Sequence, residues 1–176
     1  MDFNEVVAYV FGGAALITVF FTYQVHEKKA LLKLQTFMIV MMCLHYLFLG
    51  ATSGFALNTV CIFRNFVFYV KDKSKLLSRF APSFFALAIV GVSIFSWEGY
   101  YSLFMIFGLA INTLCIGYLD PQKIRYSLLL TCTIVIIYDA FASSLLGIVF
   151  ECVGIASAVI GIIRYNKLKR TSTEQG

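Results

Sequence analysis

Charge is what this chain has least of. Only 13% of its 176 residues are Asp, Glu, Lys or Arg, against 60% hydrophobic. A water-soluble domain of this length needs more polar surface than that. Proline is almost absent, with two residues, so long runs pass without a helix breaker. The five cysteines are Cys43, Cys61, Cys115, Cys132 and Cys152. All lie inside apolar runs and none form a CxxC pair, which leaves no zinc or redox motif and reads as small buried apolar side chains. GxSxG, HExxH, P-loop and dinucleotide fingerprints are missing too. His45 and Asp139 supply an acid and a base but no nucleophile accompanies them, so an enzyme is not expected, and no cofactor or metal is implied. A continuous basic face is also lacking, and a nucleic-acid partner is not expected. The first residues carry Asp2 and Glu5 where a signal peptide would be basic, so the first apolar run is expected to be retained.

What remains is a series of apolar runs separated by short breaks. A spanning helix needs ~20 residues, with ~17 as a practical minimum. Runs extend from Val6 to Tyr23, Leu34 to Leu49, from after Gly54 to near Val70, Pro82 to Ser96, Tyr100 to Tyr118, Tyr126 to Ala142 and Leu145 to Ile163. Pro82 is expected to open the fourth helix. Merging the second with the third run, or the sixth with the seventh, would give helices about twice the length a bilayer needs. Gly50-Ala51-Thr52-Ser53-Gly54 and Trp97-Glu98-Gly99 read as turns.

The placement of Lys and Arg tests that count. With seven crossings and the N-terminus outside, Lys28, Lys29, Lys33, Lys71, Lys73, Lys75, Arg79, Lys123, Arg125, Arg164, Lys167, Lys169 and Arg170 all fall in the cytoplasm. The outer turns hold none, as the positive-inside rule requires. The expected fold is an all-α integral membrane protein with its N-terminus out and its C-terminus in. The lipid bilayer is its first partner, and monomer or homodimer is left open. The polar tail, Arg164 to Gly176, is expected to fray.

A shift of 93 residues lays the second and third runs on the sixth and seventh. Phe48 then meets Phe141, Gly54 meets Gly147, Ile62 meets Ile155 and Lys71 meets Arg164. His45-Tyr46 meets Tyr138-Asp139, and Asn58 meets Glu151. Tyr23 and Tyr118 likewise close the first and fifth runs. The chain therefore reads as three helices, a linker and three helices: 1–71 as one bundle, 72–99 as linker helix and loops, 100–165 as the second bundle, and 166–176 as a basic cytoplasmic tail. A single linker makes the bundles parallel, a transporter design with substrate between the halves.

This 3+1+3 layout, with a polar residue in each third helix, looks like the SWEET and PQ-loop architecture, and vitamin carriers of the PnuC type share it. Asp120-Pro121-Gln122 resembles the PQ dipeptide but lies after the helix rather than inside it. Over roughly Gly12 to Arg164 the chain more closely resembles the YgjV family of bacterial inner-membrane proteins, through His45-Tyr46, Gly50-Ala51, Asn58, Arg64-Asn65, Glu151 and Ile163-Arg164. That resemblance implies location in a bacterial inner membrane and names no substrate.

Ionisable groups at bilayer depth are costly and face a cavity or a partner. Asn58 lies ~12 Å and Glu151 ~9 Å below the outer ends of their helices, by the rise per residue. The SWEET-like resemblance implies that both face the central cavity, where an amide and a carboxyl can hydrogen-bond a small polar solute. The bland alternative is that they bond each other or a neighbouring helix. Asn65 returns to the face of Asn58, while Arg64 points about 120° away; pairing with an acidic side chain is its sharper reading, and snorkelling to the cytoplasmic surface or a gate role there is favoured over direct substrate contact. His45, Tyr46 and Asp139 lie about one turn from the outer face and are expected to form an outer gate. Proton coupling through Glu151 is an expectation if that carboxyl leaves water. Trp97, Tyr100, Tyr101, Tyr118 and Tyr126 read as interfacial aromatics. Gly12, Gly13, Gly108, Gly154 and Gly161 read as close-packing sites. The leading function is a transporter of a small solute (sugar, nucleoside or vitamin-like) with Asn58, Glu151 and Asn65 on the substrate. The alternative is a non-transporting receptor or interaction protein on the same scaffold.

Overall fold

The computed structural model describes residues 2–71, 74–95, 97, 99–141 and 144–174. Lys73, Ser96, Glu98 and Ala142 of the sequence reading lie outside the described residues. Among those described, the secondary structure is helical, without strands. The helices are α1 (Phe3–Thr22), α2 (Lys28–Leu49), α3 (Thr52–Val70), α4 (Lys75–Phe95), α5 (Ser102–Tyr118), α6 (Pro121–Phe141) and α7 (Leu145–Glu174). Five of them (α1, α2, α4, α6 and α7) are long and apolar enough to cross a membrane. The apolar stretches of α3 and α5, Gly54–Val70 and Ser102–Tyr118, are shorter.

Local chemistry sets the ends. Asp2 and Glu5 form a capping box on α1, with Asp2 accepting from the Phe3 amide at 2.7 Å and Glu5 from the Asp2 amide at 3.1 Å. Gly50 ends α2 in the left-handed region at φ 71°, where the amide of Ala51 reaches back to the Tyr46 carbonyl at 3.0 Å.

Several helices extend beyond their apolar runs. α2 opens at Lys28, α4 at Lys75 and α6 at Pro121, because Lys and Arg are good helix formers whose long stems cover apolar surface from a helix end. The first-turn proline is thus Pro121. Pro82 instead sits inside α4, buried against Gly117 of α5. A mid-helix proline leaves a carbonyl one turn back without its amide donor. Packing on a neighbouring helix compensates, as membrane helices allow. α7 runs on through the basic tail to Glu174, since no Gly or Pro interrupts Arg164 to Glu174.

Each helix packs on its neighbours in sequence, and α7 closes on α1, giving a ring in chain order with α4 between α3 and α5. Leu31, Leu32, Ile39, Phe68, Ile89, Ile116, Ile124, Leu128 and Ala158 form its buried core. Large apolar side chains cover the outside, among them Phe37, Phe63, Phe66, Phe84, Leu87 and Phe107. An exterior so apolar suits hydrocarbon.

Some positions 93 residues apart make matching local contacts. Ser144 donates to the Asp139 carbonyl at 2.8 Å just as Ala51 donates to that of Tyr46 at 3.0 Å. The Tyr46 side chain covers Gly54, and the Asp139 side chain covers Gly147, so closely that a methyl group at either glycine would collide. Phe48 stacks on Phe11 at 5.8 Å, and Phe141 on Tyr101 at 6.3 Å. Gly12, Gly108 and Gly161 mark close approaches as expected, but Gly13 has nothing within 4 Å of the place a Cβ would take.

Candidate functional site

Every described Lys and Arg side chain except that of Arg64 lies at one end of the ring or in the tail of α7, and three of these reach inward. Arg125, fully buried on α6, donates to the carbonyls of Tyr23 and Val25 at the end of α1, both at 2.7 Å. Lys28 on α2 donates to the carbonyls of Leu119 at 2.8 Å and Gly117 at 3.3 Å at the end of α5. Lys71 on α3 reaches the same Gly117 carbonyl at 2.5 Å. Helix C-termini present orphan carbonyls and the negative end of the dipole, which explains why these cations tolerate burial. Lys28 of α2 thus caps the end of α5, and Arg125 of α6 caps the end of α1.

One or two turns further in, a polar layer crosses the ring. Arg64 donates to the Asn65 amide oxygen at 3.1 and 3.0 Å and to the Thr113 hydroxyl of α5 at 2.8 Å. Asn65 donates to Gln35 of α2 at 3.3 Å, and Gln35 to the Tyr23 hydroxyl at 3.5 Å. All five residues are buried, Arg64 to 2% exposure. The layer joins α2, α3 and α5 with the residue that ends α1.

Toward the opposite end lies an acidic cluster. Glu151 of α7 lies within electrostatic reach of Cys132 and Asp139, both on α6. The Tyr46 phenol lies within electrostatic reach of both carboxyls. Asp139 is buried against Gly147.

The structure thus groups the expected residues in two sets: Arg64 with Asn65, and Tyr46 with Asp139 and Glu151. Asn58 stands apart, its amide donating to Gly54 of its own helix at 2.8 Å, so it bonds neither Glu151 nor a neighbouring helix through that donor. His45 is buried, with Nδ1 2.7 Å from the Ala8 carbonyl, and fastens α2 to α1 across Gly12. Arg64 does not snorkel: Thr113 and Asn65 hold its guanidinium inside, ~9 Å from the end of α3 by the rise per residue. Gln35, Thr113, Tyr23 and Cys132 were missed. A glutamine amid apolar residues was the available signal for the first. Thr113 and Cys132 gave none, since either residue is ordinary in a membrane helix. A surface groove of about 500 Å³, lined by Phe20, Gln24, His26, Glu27 and Arg164 among others, lies at the basic end, away from Asn58 and Glu151.

Among the described residues no group of three or more His, Cys, Asp or Glu is placed to hold a metal ion. No curated protein and no solved structure matches the chain. A family model described as a bacterial inner membrane protein does match, over residues 6–169. With apolar membrane-length helices, an exterior suited to lipid and a match over nearly its whole length, the chain belongs to the Imp-YgjV family of bacterial inner membrane proteins.

Proposed function

We infer that this protein carries a small polar solute across the inner membrane by alternating access between two pseudo-symmetric halves, α1–α3 and α5–α7, with seven crossings, the acidic cluster outside and the basic end in the cytoplasm. The observation that carries this reading is the buried polar layer, which bridges the halves through Arg64 and Thr113 and lies behind reciprocal cation-to-carbonyl contacts at one end. Such contacts are individually breakable, unlike a packed apolar seam, and they join one half to the other. Buried polar groups in a membrane bundle usually mark a solute or ion path. The positive-inside rule supports the orientation.

In this reading Arg64, Asn65, Gln35 and Thr113 line the inner part of the path. Glu151, Asp139 and Tyr46 line its outer part. The test is uptake into proteoliposomes of solutes first chosen by thermal stabilisation of the purified protein. Accumulation that falls on Asn65→Ala and on Glu151→Gln supports transport. Binding without flux sinks it and favours the competing reading, a receptor. The groove beside Arg164 and His26 favours that alternative, since it lies on the surface outside the polar layer.

A further inference from the structure

Four basic side chains point into this molecule, and three have an evident electrostatic partner. Lys28, Lys71 and Arg125 each lie on the carbonyls of a helix C-terminus. Arg64 has neither a carboxylate nor a helix end. Among the described residues the only ion pair is Lys123 with Asp120, both at the surface. The acceptors on the guanidinium are a neutral amide and a neutral hydroxyl. Among the described residues no ion pair joins Glu151 to Arg64.

A buried charge without a counter-charge is unfavourable even after hydrogen bonding. The surroundings do not lessen that cost. Asn65, Gln35 and Tyr23 form a chain of neutral groups with the amide oxygen of Asn65 turned to the arginine. They hold the guanidinium in place without neutralising it. A guanidinium has five N–H donors. Three are used here, leaving two on its terminal nitrogens for an acceptor not supplied by the described residues. Two N–H groups on one planar fork match the two oxygens of a carboxylate or a phosphate.

We propose that Arg64 binds an oxyanion, the carboxylate or phosphate group of the solute that occupies the polar layer. The assignment as a substrate subsite rests on the transport reading, whereas the anion site itself does not. Thr113, from the other half, fixes the guanidinium across the interface between halves. Docking of the anion would neutralise the one uncompensated charge at the point where the halves meet.

The experiment is thermal unfolding of the detergent-purified full chain in succinate, inorganic phosphate, chloride and glucose, with the salts at equal ionic strength. Wild type is expected to gain several degrees, in a concentration-dependent way, in succinate or phosphate and not in chloride or glucose. A response to succinate alone assigns a carboxylate, and to phosphate alone a phosphate. Arg64→Gln should lose the shift while being at least as stable as wild type without added anion, because an uncompensated charge has gone. Arg64→Lys keeps the charge but not the fork, and should retain a reduced shift; it serves where the glutamine variant does not fold. A wild-type protein silent to both anions overturns the proposal, as does a shift that survives Arg64→Gln. The two readings separate in proteoliposomes. An Arg64-dependent shift without flux of that anion leaves the site and removes transport. Flux of a neutral solute, unaffected by Arg64→Gln, does the reverse.

Discussion

Asp139 and Tyr46 occupy equivalent places and do the same mechanical work with different chemistry. Each lies over the glycine eight residues later, and each comes from the last turn of the second helix of its half. A methyl group added at that glycine forces the covering side chain aside. Gly54→Ala and Gly147→Ala should each lower stability by about 1–3 kcal/mol, the usual cost of overpacking. Denaturation of the purified variants measures this. Tyr46→Ala combined with Gly54→Ala should recover much of the loss, since the alanine then has room; strict additivity would show that the two do not touch. Glu151 is a different case, because its carboxyl lies within electrostatic reach of Asp139. Carboxyls at bilayer depth serve as proton relays in pumps and transporters. If the protein is proton-coupled, an imposed pH gradient should change uptake in wild type and leave Glu151→Gln indifferent. Equal uptake with and without the gradient in wild type removes the coupling.

Elements were legible in the sequence by their apolar length, and their ends only in part. The capping box of Asp2 and Glu5 and the left-handed Gly50 are local, so they could be read from a few residues. The start of α4 could not. A proline was taken as the mark of a first turn, yet the helix begins seven residues earlier, and Pro82 is held where Gly117 of α5 makes room for it. That accommodation belongs to two helices and has no signature in one. Gly117→Ala should therefore disturb α4 as much as α5. The expected loss is about 1–3 kcal/mol, and a greater one if the Lys28 and Lys71 contacts to the Gly117 carbonyl go with it. Unchanged unfolding of Gly117→Ala would mean that α4 is free to slide. The tail is simpler: helical content by circular dichroism should fall on truncation after Tyr165, because α7 continues to Glu174.

At the scale of the whole molecule, the reciprocal caps give a prediction that neither half contains alone. Lys28→Ala frees the end of α5, and Arg125→Ala frees the end of α1. Under the transport reading both loosen the same closure, so both should increase maleimide labelling of Cys132, buried in wild type, from the basic face of membrane vesicles. Labelling unchanged in two folded variants would make these contacts static caps rather than a gate. Arg125→Ala should be the more damaging of the two, since its guanidinium makes two bonds at 2.7 Å and is wholly buried.

The sequence by itself determined that this is a membrane protein, how many helices it has and which end is basic. Those properties follow from apolar length, from charge placement and from local spacing, all of which are one-dimensional. Tertiary structure alone decided the partners of the buried polar groups. It turned His45 to the Ala8 carbonyl, kept Arg64 inside with Thr113, and brought Gln35 and Tyr23 into the same layer. Contacts of this kind join residues more than a hundred positions apart, as between Arg125 and Tyr23 or Ser157 and Phe20. They depend on the rotation of each helix about its axis, which packing sets and a run of apolar residues leaves free.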